Sequence, residues 1–235
     1  MNLIDLAVIA VFALFVLLGF YRGFISTLLN LGAYVLSAVL GLLLMPLCAH
    51  AVKSSASLYN MMLYYTEGSE YIVNAEYVRA GISSIGSTDL SGIISAAGLP
   101  YPMGKRITAN IAKEAFAGQG VVSLGDYFNQ TIVCVFINIL MFLLVFLAVR
   151  LLLGFIINGA DYAYTFPVLR SGDSVLGAGL GLLRGMFALF LLFMLLPILL
   201  TSLGQFEQIH TMVNESVFAG FFYRSNFLLG LIPGT

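Results

Sequence analysis

From Phe24 to Ala49 the chain carries no charged side chain, and a second uncharged run extends from Gln130 to Val149 before Arg150 interrupts it. A helix crosses the roughly 30 Å hydrocarbon core of a bilayer with about 20 residues. A helix apolar on every side must be buried all round or surrounded by lipid. Soluble domains are about a quarter charged, whereas this chain is 60% hydrophobic and 9% charged, leaving too few polar side chains to cover such helices with a wet surface. The sequence therefore describes an all-α integral membrane protein.

Four runs are long enough to serve as spans: Leu3 to Tyr21 with Asp5 at its outer end, Phe24 to Ala49 with Pro46 in its last turns, 130 to 157 with Arg150 in its last third, and 185 to 203. Almost nothing joins the first two, which predicts a tight antiparallel pair. The expected organisation is a first transmembrane hairpin over 1–49, an extracytoplasmic helical loop over 50–129, a second transmembrane hairpin over 130–203 and an amphipathic tail over 204–235. Met1-Asn2-Leu3-Ile4-Asp5 lacks the basic start and the small-residue cleavage site of a signal peptide, so the first run reads as a retained helix. Trp is absent, and Tyr21, Tyr59, Tyr64, Tyr65 and Tyr127 are the aromatic residues expected at the membrane interfaces.

The 50–129 segment is too long for an inert connection. Apolar residues three and four apart predict surface helices within Glu70–Arg79 and Lys105–Phe116, with Gly98-Leu99-Pro100-Tyr101-Pro102 breaking the chain before the second. In the tail, Val213, Val217, Phe218, Phe221 and Phe222 line one side of a helix. Such a face either docks on the helical bundle or lies on the bilayer.

Gly-x-x-Arg-Gly occurs twice, at Gly19–Gly23 and at Gly181–Gly185. A guanidinium at the bilayer centre costs at least a few kcal/mol, so Arg22 and Arg184 are expected at an interface, each opening a span. Two crossings separate those spans, which puts both arginines on one side, together with Arg150 and the short connection holding Arg170. Basic residues in short loops mark the cytoplasm, and a long loop does not count. Both termini and the 50–129 loop are then extracytoplasmic. Gly177, Gly181 and Gly185 recur every fourth residue, a bare helix face on which another backbone can approach closely. The same segment also fits a broken half-helix lining a substrate path.

Catalytic patterns are absent. His50 and His210 have no partner at metal-ligand spacing, and neither a phosphate-binding glycine loop nor a nucleophile elbow occurs, so no metal, cofactor or catalytic residue is expected. Ten Lys plus Arg against eleven Asp plus Glu leave no basic field for nucleic acid. Asn30, Ser37 and Asn138 are polar groups within apolar spans, expected to hydrogen-bond between helices. Cys48 ends the second span and Cys134 begins the third, so a disulfide between them is one alternative and two free, buried thiols the other.

Asn2-Leu3-Ile4-Asp5, then Arg22-Gly23-Phe24, then Asp173-x-x-Leu176-Gly177-x-x-x-Gly181-x-x-Arg184-Gly185 resemble the bacterial colicin V production protein family. The likeness covers all four spans, and Val217 to Pro233 resembles the tail of family members from Gram-positive bacteria. The family usually carries Arg or Lys right after the Asp, where this chain has Ser174, and Arg170 is a candidate substitute for the missing charge. The resemblance implies a multi-pass plasma-membrane protein linked to toxin production or export and to surface phenotypes such as biofilm formation, with no enzymatic mechanism. Two roles are compatible with it. One is a non-enzymatic scaffold working with a secretion or envelope partner; the other is a small channel or transporter, its path along 176–185, completed by homo-oligomerisation.

Overall fold

The structure is a computed structural model that describes residues 2–164, 172–202 and 207–235. In chain order the helices are α1 (Leu3–Lys53), α2 (Ala56–Thr66), α3 (Ala75–Arg79), α4 (Ser87–Ala96), α5 (Met103–Ala112), α6 (Leu124–Tyr164), α7 (Asp173–Phe193), α8 (Leu196–Ser202), α9 (Glu207–Glu215), α10 (Val217–Arg224) and α11 (Phe227–Leu231). Three helical stretches, Leu3–Lys53, Leu124–Tyr162 and Asp173–Ser202, are long and apolar enough to cross a membrane. Only 17% of the most apolar window of α1 is buried, so most of that surface is left for lipid. The chain divides into two compact units.

The first unit comprises Met1–Met45, Phe142–Met194 and Glu207–Asn226. Here α1 is not one straight rod: Gly23 has φ 75° and ψ 178°, a conformation that only glycine adopts without strain, and it separates a limb of residues 3–22 from one of residues 24–53. The rings of Phe15 and Tyr34 lie 6.5 Å apart across this break. In a straight helix the same residues would be separated by roughly 28 Å at 1.5 Å per residue. The backbone therefore doubles back at Gly23. Tyr34 also meets Phe146 of α6 at 5.8 Å and Phe187 of α7 at 6.2 Å, so one tyrosine joins four helical segments.

The helix α7 begins at Asp173, not near Gly185, and Arg184 falls in its middle instead of opening it. The apolar run locates the hydrophobic part of the helix, but the glycine-rich turns before it are helical too. Their backbone is supported from outside: the exposed surface of Val175, Leu176, Leu182 and Leu183 faces away from the unit, while Gly177, Gly181 and Gly185 are buried in it. The expected single amphipathic helix in the tail is two, α9 and α10, with Ser216 between them accepting from the Ala219 N–H as the cap of α10. Phe222 is 2% exposed and stacks on Phe193 at 5.7 Å, with Phe190 at 5.1 Å and Phe12 at 6.1 Å. Val217 and Phe221, predicted on the same face, are exposed.

The second unit comprises Pro46–Met141, Leu195–Phe206 and Phe227–Thr235. Its core is the first half of α6, where Leu124, Tyr127, Phe128, Ile132, Val133 and Ile139 are wholly buried. Around it stand α2 to α5, with Met103 and Ile107 of α5 at 0% exposure, as its three-and-four spacing predicts. The stretch Glu70–Arg79 is helical in α3 only over its second half. Tyr127 is a core residue and not interfacial, whereas Tyr64 and Tyr65 are exposed. Lys53 donates to Asn138 Oδ1 at 3.0 Å, and the Asn138 amide donates to the Pro233 and Thr235 carbonyls at 2.9 and 3.0 Å. Asn110 similarly bonds Thr131 and the Gly234 carbonyl. Cys48 and Cys134 are both free thiols, Cys48 half-buried and Cys134 buried against the Tyr59 hydroxyl, 3.7 Å away. Burial pushes that hydroxyl, which also bonds Gln130, above the ordinary tyrosine range.

Candidate functional site

The sequence-marked residues of the first unit converge on the break in α1. Reversing the chain at Gly23 leaves the N–H groups that open the second limb without helical partners. Asp173, the first residue of α7, accepts from the Phe24 N–H at 3.2 Å, a carboxylate supplied from a distant segment to a positive helix end. The Thr27 hydroxyl donates to the Gly23 carbonyl at 2.7 Å. A Cβ on Gly23 would overlap the Asp173 carboxylate, so the tight turn and the cap require each other.

The bare face of α7 packs on the first limb. Cβ atoms on Gly177 and Gly181 would overlap the carbonyl oxygens of Gly19 and Phe15, and one on Gly185 would lie 3.2 Å from the Phe15 side chain. Gly19 reciprocates, since its own Cβ would strike the Gly177 carbonyl. Gly-x-x-Arg-Gly is thus used twice because the two copies hold the two partners of one close backbone contact.

That contact brings three guanidinium groups to one cavity of about 330 Å³, lined by Arg22, Asn30, Tyr34, Arg150, Gly154, Asn158 and Arg184, with Leu151 and Phe155 at its edge. The Arg184 guanidinium lies 4.9 Å from the Phe15 ring centre and 5.1 Å from that of Tyr34; Arg150 lies 4.8 Å from Tyr34. Both use an aromatic face in place of a counter-ion. Arg150 Nη2 also donates to Asn30 Oδ1 at 2.7 Å. The lining contains no carboxylate, and the buried Nε atoms of Arg150 and Arg184 have no hydrogen-bond partner among the described residues.

The comparison that decides the family is with a model for colicin V production protein, which matches residues 4–97 and 111–226. The chain belongs to the colicin V production protein family. Neither a curated protein nor a solved structure matches it. Membership, with its apolar helices, marks this chain as a bacterial membrane protein with a role in colicin V production.

Within this family member the motif residues separate by place. Arg22, Gly23, Phe24, Asp173, Gly177, Gly181, Arg184 and Gly185 form the junction just described, while Leu176 is half exposed on the outer side of α7. Asp5 stands elsewhere in the first unit, 1% exposed, accepting from the Ser216 hydroxyl at 2.6 Å and the Phe218 N–H at 3.3 Å at the start of α10. Both motif carboxylates thus cap helices remote in sequence. Cys48, Cys134 and Asn138 belong to the second unit. Arg170 lies outside the described residues. Tyr34, Gly154 and Asn158 were not singled out from sequence. Their signal is a four-residue step: Arg150, Gly154 and Asn158 share one face of α6, and Asn30 and Tyr34 one face of α1.

Proposed function

We propose that the protein works without enzymatic chemistry of its own, as a four-crossing scaffold in the bacterial plasma membrane. It supports production or export of a colicin V-like toxin and, through the envelope, surface phenotypes such as biofilm formation. In this reading the two limbs of α1 form one transmembrane hairpin, α6 and α7 the other, and both termini and the 50–129 loop are extracytoplasmic. The scaffold engages a secretion or envelope protein, or a second copy of itself.

The observation that carries this reading is the use made of the family motif. Gly177 and Gly181 are in contact with the backbone of Phe15 and Gly19, and Asp173 caps the turn at Phe24, so the motif is occupied in holding helices together. A route along 176–185 needs the space that this backbone fills. The deciding experiment pairs two assays. Purified protein in proteoliposomes is expected to pass neither small ions nor amino acids, while cells lacking the protein are expected to lose toxin export and to regain it on complementation. Substrate flux above that of empty liposomes, abolished by Gly181→Ala, would replace the scaffold with the channel.

A further inference from the structure

Arg22, Arg150 and Arg184 present a problem that the scaffold role leaves unsolved. A guanidinium stays charged under all ordinary conditions. Those of Arg150 and Arg184 each stand about 5 Å from the Tyr34 ring centre, so they are at most about 10 Å apart, within one screening length of physiological salt. Arg22 adds a third charge to the same lining, which offers no carboxylate among the described residues. Like charges brought together beside apolar surface are unfavourable unless an anion joins them. The cation–π contacts hold the groups in place without cancelling their charge.

We propose that this cavity binds a phosphate group, of a free anion or of an amphiphile headgroup. Guanidinium forks match phosphate oxygens in planar, bidentate pairs, and a phosphate offers enough oxygens for more than one fork. The guanidinium groups of Arg22, Arg150 and Arg184, all residues of the cavity lining, are the donors such oxygens would meet, and the Asn158 amide supplies further donors at the rim. Leu151 and Phe155 continue the cavity edge, and Phe155 is 77% exposed. An acyl chain attached to the phosphate would lie along them. The site stands on its own geometry and does not depend on how the protein supports toxin production.

The test uses the full chain, purified free of lipid in an uncharged maltoside detergent, with its melting temperature followed against added ligand. Three probes are compared: inorganic phosphate, phosphatidylglycerol, and laurate as an anionic amphiphile without phosphate. A saturable rise with phosphatidylglycerol alone identifies a headgroup as the source; a rise with inorganic phosphate identifies the free anion. Arg150→Gln and Arg184→Gln are each expected to weaken the apparent affinity about tenfold, the loss of one charge-assisted contact. Asn158→Asp, at an exposed rim position, places a carboxylate in the cavity; it should raise the melting temperature without ligand and suppress the response to ligand. That variant decides the matter if the arginine variants do not fold. No saturable rise with either phosphate probe, an equal rise with laurate, or an undiminished response in Asn158→Asp would overturn the proposal.

Discussion

Adding one methyl group to α7 at two positions two residues apart should have opposite effects. Alanine is the better helix former by about 1 kcal/mol, so Gly→Ala in an open part of a helix stabilises by up to that amount. Gly179 is such a place, with nothing within 4 Å of a Cβ built there. At Gly181 the new Cβ would overlap the Phe15 carbonyl oxygen and lie 3.1 and 3.2 Å from the Phe15 carbonyl carbon and the Val16 Cα. All three are backbone atoms, so no side chain can rotate away. The helices must separate, and a gap of 0.5–1 Å already forfeits a quarter to a half of each contact along the seam. Overpacking of this kind costs about 1–3 kcal/mol, and a backbone obstacle places it at the upper end. After the propensity gain, Gly181→Ala should lose about 2 kcal/mol, a fall of roughly 4–8 °C in melting temperature for a chain of this size, while Gly179→Ala should hold or rise by a few degrees. Thermal unfolding in detergent, followed by near-ultraviolet circular dichroism, reads both. Equal melting temperatures for the two variants would refute close backbone packing on this face.

Asp173→Ala should lower stability by about 1 kcal/mol through loss of the Phe24 cap, with Asp173→Asn recovering most of it, measured by the same melt. Asp5→Ala strands the Ser216 hydroxyl and the Phe218 N–H and should cost about 2–3 kcal/mol, visible as earlier protease cleavage between α9 and α10. In the second unit, Asn138→Ala leaves Lys53 and two carbonyls unpaired and should cost about as much, read as faster hydrogen exchange at residues 227–235. For orientation, Tyr162→Cys in a background lacking Cys48 and Cys134 should resist an impermeant thiol reagent in intact cells, whereas Ser87→Cys should react. Reversed labelling would invert the assignment of sides.

Length and hydropathy made the long helices legible, because each apolar run is set by the solvent around it. So was the amphipathic helix α5, whose buried Met103, Ile107 and Ile111 follow the helical period. The start of α7 was not legible. Gly177, Gly179 and Gly181 are poor helix formers and Arg184 breaks the hydropathy, so a local reading starts the span at Gly185; a neighbouring backbone, invisible in local sequence, sustains the turns before it. The arginine cavity was hidden for a related reason. As charges, Arg22 and Arg184 mark one side of the membrane together with Arg150, but nothing in the local sequence gathers the three into one cavity. Only the reversal at Gly23 brings them to one cavity, where Arg184 and Arg150 lie over the Tyr34 ring. Asn30 was visible as a polar residue in an apolar run, but its partner Arg150 comes from a helix on the far side of the 50–129 segment.

The remote caps also order events during synthesis. The carboxylate that closes the turn at Phe24 lies 149 residues further along the chain, and Ser216, which meets Asp5, lies 211 residues beyond it. At 5–20 residues per second, a ribosome reaches Asp173 roughly 7–30 s after it has finished Phe24. For that interval the nascent first helices hold their reversal with an uncapped end. Its completion is deferred until the fourth apolar stretch begins to emerge. A nascent chain stalled before residue 173 should therefore be cut at the Gly23 turn by a protease that spares one stalled after α7 has inserted.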